Sequence, residues 1–119
     1  MKGSYLKHVK YSLRTELNKA KALKFTKFIA SLIGAEITAI KSVNLPPGFE
    51  IIAFLKESYI ALNFWPEIGL CIIDIFSCKN FDNESVLEYI RKFFDKNLVK
   101  ERVILDKTIF EETRELEGV

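Results

Sequence analysis

The sequence predicts an α+β fold: a two-layer sandwich in which a largely antiparallel sheet carries two helices on one face. Three observations predict it. Two stretches with helical periodicity bracket a central block of β-rich runs. The turn signals inside that block, Pro46-Pro47-Gly48 and Trp65-Pro66-Glu67, are short, and short connections join antiparallel neighbours. Each helical stretch has a single apolar stripe, whereas the runs 51–55 and 70–76 are apolar almost without interruption, as in strands covered on both sides. At 119 residues the chain reads as one domain, 1–119, with room for one sizeable core.

Taken in order, His8 to Arg14 alternates Val9, Tyr11 and Leu13 against polar neighbours, the pattern of a half-buried first strand. Thr15 can cap the helix that follows, in which Ala22, Phe25, Phe28, Ile29, Leu32 and Ile33 recur at helical spacing and Gly34 supplies the C-terminal stop. Glu36 to Leu45 is β-rich and ends at the proline turn. Phe49 to Lys56 and Ser58 to Trp65 give two more strands. Pro66, which cannot donate a ladder hydrogen bond, closes the second of these. Gly69 to Cys78 is the next strand, and Asp82 caps a helix with Val86, Leu87, Ile90, Phe93 and Phe94 on one face. The last strand, Leu98 to Leu105, sets Val99, Val103 and Leu105 in phase, with Glu101 intruding on the same face. The acidic tail from Thr108 is expected to pack loosely or on a partner subunit.

Composition narrows the function classes. A net charge of +2 gives no electrostatic case for nucleic acid. Lys19, Lys21, Lys24 and Lys27 read as the solvated side of the first helix, with an anion-binding surface as the lesser alternative. No apolar run approaches the roughly 20 residues of a membrane span, and the first residues lack the apolar stretch of a secretory signal, so a cytoplasmic protein away from membranes is expected. Cys71 and Cys78 fall at odd and even positions of one strand and therefore on opposite faces, unable to form a local disulfide. With one His and no Cys-x-x-Cys spacing, no metal site is expected.

The central block carries more than packing. Glu57-Ser58, then Trp65-Pro66-Glu67, then the strand Asp74-Ile75-Phe76-Ser77-Cys78 resemble the short, prokaryotic-type S-adenosylmethionine decarboxylases from about His8 through the second helix. The resemblance implies a protein that makes its own cofactor and serves spermidine biosynthesis. A serine hydroxyl attacks the preceding Glu carbonyl, the resulting ester undergoes β-elimination, and the serine becomes a pyruvoyl group, the electron sink for loss of carbon dioxide. By the same resemblance Glu57-Ser58 is the cleavage bond and Cys78 the catalytic cysteine. Trp65 and Glu67 lie near the nucleoside, Gly48 is the turn glycine, and a partner subunit's sheet covers the second face of a homodimer.

The departures fall on the self-cleavage machinery. The family's His-Ile-x-Ile-His after the serine is here Tyr59 to Asn63, and Asn63 replaces the histidine that serves as base in the elimination. An amide cannot accept a proton at neutral pH. Glu50 replaces a hydroxyl that assists the ester step, and Asn44 stands where a Phe helps hold the adenine. The expectation is therefore a family member defective in self-cleavage, with Ser58 intact and no pyruvoyl cofactor. Such a protein would bind an S-adenosylmethionine-like or polyamine ligand, or pair with an active paralogue. The alternative is a divergent pyruvoyl-dependent decarboxylase of S-adenosylmethionine or another amino acid, with Glu50 or Tyr59 assisting Ser58. Outside that resemblance Ser58 is an ordinary strand serine, Cys78 a structural thiol, Trp65 a strand-end aromatic and His8 a surface or dimer-edge residue.

Overall fold

The computed structural model describes residues 3–110. Its elements run β1 (Gly3–Arg14), α1 (Lys19–Leu32), β2 (Ile37–Leu45), β3 (Gly48–Leu55), β4 (Ser58–Trp65), β5 (Leu70–Ser77), α2 (Asn83–Phe94) and β6 (Val99–Phe110), the predicted order. One six-stranded sheet has the order β2-β3-β4-β5-β1-β6, and every neighbouring pair is antiparallel. Both helices lie on one face. Among the described residues no helix is long and apolar enough to cross a membrane.

Strand alternation decides what the helices cover. Three transverse rows point beneath them: Phe49, Phe64, Cys71, Leu13; Ile51, Leu62, Ile73, Tyr11; and Ala53, Ile60, Ile75, Val9. All twelve are buried. Against them pack Ala22, Phe25, Ile29 and Ala30 from α1 and Val86, Leu87, Ile90 and Phe94 from α2. Phe25 joins the two helices, its ring centroid 5.0 Å from those of both Phe93 and Phe94. A fully buried Phe contributes about 1.5–3 kcal/mol over an exposed one, so this contact is a principal tie between the helices. Phe28 and Leu32, expected in the stripe, stand 48% and 44% exposed, and Thr26 takes the interior position instead. The Thr26 hydroxyl is satisfied by donating to Ala22 O at 2.8 Å.

The capping signals were partly misplaced. Asn18, not Thr15, caps α1, its side chain accepting from Lys21 N at 2.8 Å. Thr15 instead ties its backbone N–H to Gly69 O. Gly34 ends α1 at φ +74°, with Gly34 N donating to Ser31 O and Ala35 N to Ala30 O, a Schellman closure. Asp82 caps α2 as expected, accepting from Glu84 N and from the Ser85 hydroxyl.

β1 begins five residues earlier than predicted and β6 extends to Phe110, so the two outrun the rest of the sheet. The acidic tail's first residues continue β6; residues 111–119 lie outside the described part. β6 carries a bulge, because Val9 pairs with Val103 and His8 with Leu105, leaving Ile104 unpaired. Leu105 is therefore out of phase with Val103, contrary to the simple alternation. A one-residue insertion reverses the faces of everything beyond it. Glu101 does point to the helix side, opposite Tyr11. Burial, and then the Glu101 carboxylate, push the Tyr11 phenol above its ordinary range and keep it neutral.

Buried Lys7 was not anticipated. Its ammonium donates to Phe81 O at 2.5 Å and Asn80 Oδ1 at 3.2 Å and sits 4.3 Å from the Phe81 ring centroid, fastening the β5–α2 connection to β1. At the other end of the sheet, a Cβ on Gly48 would overlap Phe64 O and meet Pro66 Cδ at 3.1 Å. Gly48→Ala is expected to lower unfolding free energy in urea by about 1–3 kcal/mol, the range for overpacking against unyielding backbone. An unchanged midpoint would show that the β3–β4 pair relaxes at no cost.

Candidate active site

The β3–β4 hairpin closes with a two-residue turn, Lys56-Glu57, between the paired residues Leu55 and Ser58. Glu57 holds φ 60°, the left-handed region that a non-glycine residue occupies under strain of about 1–3 kcal/mol. The peptide bond between a strained Glu57 and the first residue of β4 is the Glu57-Ser58 bond singled out in the sequence.

Ser58 and Cys78 come together because of register. Tyr59 pairs with Phe76, which carries the end of β5 past Ser58. Cys78 N donates to Ser58 Oγ at 3.0 Å, and the Cys78 thiol points at Lys56 O, 3.8 Å away. Ser77, buried beside them, accepts from Lys79 N at 3.0 Å and donates to Lys79 O at 2.9 Å, which folds the segment after β5 back toward the turn. Lys79 Nζ reaches Gly34 O at 3.4 Å, a cation at the negative end of α1. These groups border a cavity of about 340 Å³ that also includes Glu36, Thr38, Lys56 and Glu57.

Glu36, Thr38 and Lys79 carry no local motif, and Ser77 lies within the Asp74–Cys78 motif without a role of its own assigned there. Glu36 and Thr38 arrive through the α1–β2 connection, and Thr38 occupies the irregularity where Ile37 pairs with Leu55 and Ala39 with Phe54. Its hydroxyl donates to Phe54 O at 2.9 Å.

Asn63 and Glu50 lie elsewhere. They are cross-strand partners on the sheet face opposite the helices, and Asn63 is five residues from Ser58, about 17 Å along an extended strand. Trp65 and Glu67 are further still, at the opposite end of β4 from Ser58, about 23 Å for Trp65. Trp65 is 39% exposed there, and the turn after it is tied by Ile68 N to Trp65 O and Gly69 N to Pro66 O. Asn44, exposed on β2, accepts from Lys19 Nζ. One chain thus assembles Glu57, Ser58 and Cys78 but not Asn63, Glu50, Trp65 or Glu67.

The two cysteines are free and differ in environment. Cys71 lies in the core, and burial pushes its thiol up to about 12. Cys78 is only half-buried at the cavity. Among the described residues no three His, Cys, Asp or Glu side chains are grouped to hold a metal ion.

The family model for S-adenosylmethionine decarboxylase matches residues 11–105. An S-adenosylmethionine decarboxylase proenzyme of Methanococcus aeolicus is 35% identical over 78 residues, covering 64% of this chain and 67% of that protein. The Archaeoglobus fulgidus proenzyme is 35% identical over 65 residues, covering 52% of this chain and 56% of its own length. In structure the chain is similar to the adenosylmethionine decarboxylase of Aquifex aeolicus, with a TM-score of 0.70, 16% identity, and 94% and 98% of the two chains covered.

Two outcomes follow from the site's geometry. Ser58→Ala leaves the Cys78 N–H without its acceptor and is expected to cost about 1 kcal/mol or more in chemical denaturation. In the native protein a thiol-specific disulfide reagent should modify Cys78 readily and Cys71 only on unfolding; equal rates would contradict the burial of Cys71.

Proposed function

Because the chain belongs to the S-adenosylmethionine decarboxylase family, we propose that it is a member defective in self-cleavage, which keeps Ser58 as serine and acts by binding. Its ligand is S-adenosylmethionine-like or a polyamine, or its partner is a catalytically active paralogue. One observation carries this reading: among the described residues around the Ser58 cavity none is a histidine, while Asn63 and Glu50 stand on the other face of the sheet.

Self-cleavage asks three things of the site. Ser58 Oγ must add to the Glu57 carbonyl carbon, the peptide C–N bond must break to leave an ester, and a base must take the Cα proton of residue 58 as the Cβ–Oγ bond breaks. Cys78 N–H already donates to Oγ, which draws electron density from the nucleophile. No imidazole supports the proton transfers. An amide at 63 cannot accept a proton, and an ionised Glu50 cannot donate one. Loss of a general base costs 10²–10⁴-fold, about 3–5 kcal/mol of barrier.

A pyruvoyl group would nonetheless be accommodated at position 58: its keto oxygen would stand on Cα in place of the nitrogen, while the hydroxyl oxygen held by Cys78 N–H would leave with Glu57, and Lys56 and Lys79 border the same cavity. Once present, that group supplies an electron sink for decarboxylation. The second reading, an active divergent decarboxylase of S-adenosylmethionine or a related amino acid, draws support from Glu57. Strain at the scissile bond would be relieved on cleavage and lower the barrier. About 1–3 kcal/mol of strain does not offset about 3–5 kcal/mol of missing base, so the first reading is preferred.

The separation along β4 bears on the oligomeric state. Ser58 and Trp65 occupy opposite ends of one strand, yet the family resemblance assigns their counterparts to one site. A second copy laid end for end over the open face of the sheet would bring the Ser58 end of each chain over the Trp65 end of the other. A homodimer of this kind is part of the proposal, and the exposed Phe54 and Trp65 on that face support it.

Intact mass under denaturing conditions tests the reading. A single species at 13.8 kDa is expected; fragments corresponding to residues 1–57 and 58–119, the second lacking a free amine, would establish the active alternative. Because that dimer would lay the Asn63 end of one chain over the Ser58 end of the other, the double substitution Asn63→His with Glu50→Ser is expected to restore cleavage, and an uncleaved double variant would place the defect elsewhere.

A further inference from the structure

At the end of the sheet away from Ser58, β1, β6 and α2 border a groove of about 510 Å³. Arg14, Arg91 and Lys100 line it with Asn97, Leu70 and Leu98, and among the described residues no carboxylate does. Leu98 stands 90% exposed there. The grooves on either side add Lys21, Lys92 and Lys96 against Glu16, Glu88 and Asp95, and Glu88 is already paired with Lys92 at 3.5 Å. Cations therefore predominate. The same sign continues onto the open face of the sheet, where Lys10, Arg14, Lys100 and Arg102 share one side of β1 and β6. Asp74 lies opposite Lys10 on that side, and His8 Nε2 already engages its carboxylate at 2.5 Å.

We infer that this groove receives the acidic segment 111–119 of a second copy, so that the two chains of the dimer exchange these segments. This rests on the end-for-end homodimer of the preceding subsection. The segment carries Glu111, Glu112, Glu115 and Glu117 against the single cation Arg114, with Leu116 between two carboxylates. It complements the groove in charge, and Leu116 offers the uncovered Leu98 an apolar partner.

Reach excludes the chain's own groove. Phe110 pairs with Gly3 and Lys100 with Ser12, nine positions apart along β1, or about 30 Å. Seven extended residues carry Glu117 at most about 25 Å from Phe110. The partner's groove lies closer. The two-fold that lays the sheets end for end runs across the strands, so it lays β6 over β6 and the Gly3 end of one chain over the Arg14 end of the other. Gly3 stands four positions beyond Lys7, where the pairing of β1 with β5 begins, or about 13 Å. With the sheets about 10 Å apart, Phe110 of one copy lies roughly 15–20 Å from Arg14 of the other. Glu115 and Glu117 can span that distance. The exchange also answers the charge on the open face. Closure lays the cationic half of one sheet over the same half of the other, and like charges withdrawn from water oppose association unless anions enter with them.

Zero-length carbodiimide coupling of the full chain tests the contact. A covalent dimer is expected whose linked peptides join Lys100 or Lys96 to Glu115 or Glu117. Sedimentation equilibrium tests its contribution. Glu115→Lys with Glu117→Lys, and separately Arg91→Glu with Lys100→Glu, should each raise the dissociation constant about tenfold or more, since every dimer loses two sets of pairs. The four substitutions combined should recover most of that loss. A covalent dimer without such linkages, or a dissociation constant unchanged in either pair of substitutions, would overturn the inference and leave the dimer standing. A monomer throughout would overturn both. Should circular dichroism show that the Arg91→Glu, Lys100→Glu variant misfolds, the linkages and the Glu115→Lys, Glu117→Lys variant decide. Intact mass reads the state of Ser58 independently, so the inference and the self-cleavage reading can fail separately.

Discussion

Everything in this molecule depends on the register shared by β3, β4, β5 and β1. Ile51, Leu62, Ile73 and Tyr11 face the helices only because each strand is aligned to the residue with the next. A slip of one residue would turn Ile60, Leu62 and Phe64 away from α1 and bring Tyr59, Ala61 and Asn63 under it. The close approach of Gly48 to Phe64 O fixes one end of this alignment, and the Lys56-Glu57 turn fixes the other. The same register delivers Cys78 to Ser58. Packing and chemistry are thus set by a single constraint, and the strained turn at Glu57 is held by the strands it joins.

Much of this could be read from the chain because it is local. The period-two runs, the proline turns and the Asp82 cap specify strands, hairpins and helix ends without knowledge of their neighbours. The twenty-residue interval from Ser58 to Cys78 works for the same reason: two strands joined by a short turn must return to their starting level. Parity was legible too. Cys71 and Cys78 are an odd number of positions apart in one run, which parity sends to different surroundings, and in the structure Cys71 lies in the core while Cys78 borders the cavity.

What was not legible depends on contacts between distant parts of the chain. The order β5-β1-β6 brings His8 beside Asp74 and Lys7 beside Phe81, and no local pattern encodes it. The unpaired Ile104 reverses the face of Leu105 through one inserted residue that alternation cannot reveal. Phe28 and Leu32 fit a helical stripe, but α1 rests over β3 and β4 with Thr26 inward, leaving those two at the margin. In each case tertiary placement overrode a correct local pattern.

The position of β1 has a kinetic consequence. Its neighbours are β5 and β6, so the earliest-made of the described strands is flanked by the two made last, and β6 cannot add until nearly the whole described chain has been made. The meander β2-β3-β4-β5 can close by short-range hairpins, whereas inserting β1 between β5 and β6 requires loops spanning most of the sequence. Such long-range pairing slows folding. Nascent β1, with Val9, Tyr11 and Leu13 uncovered, is therefore the segment that must avoid wrong partners longest. Its alternation with Lys10 and Arg14 places charge beside that apolar surface while the strand waits.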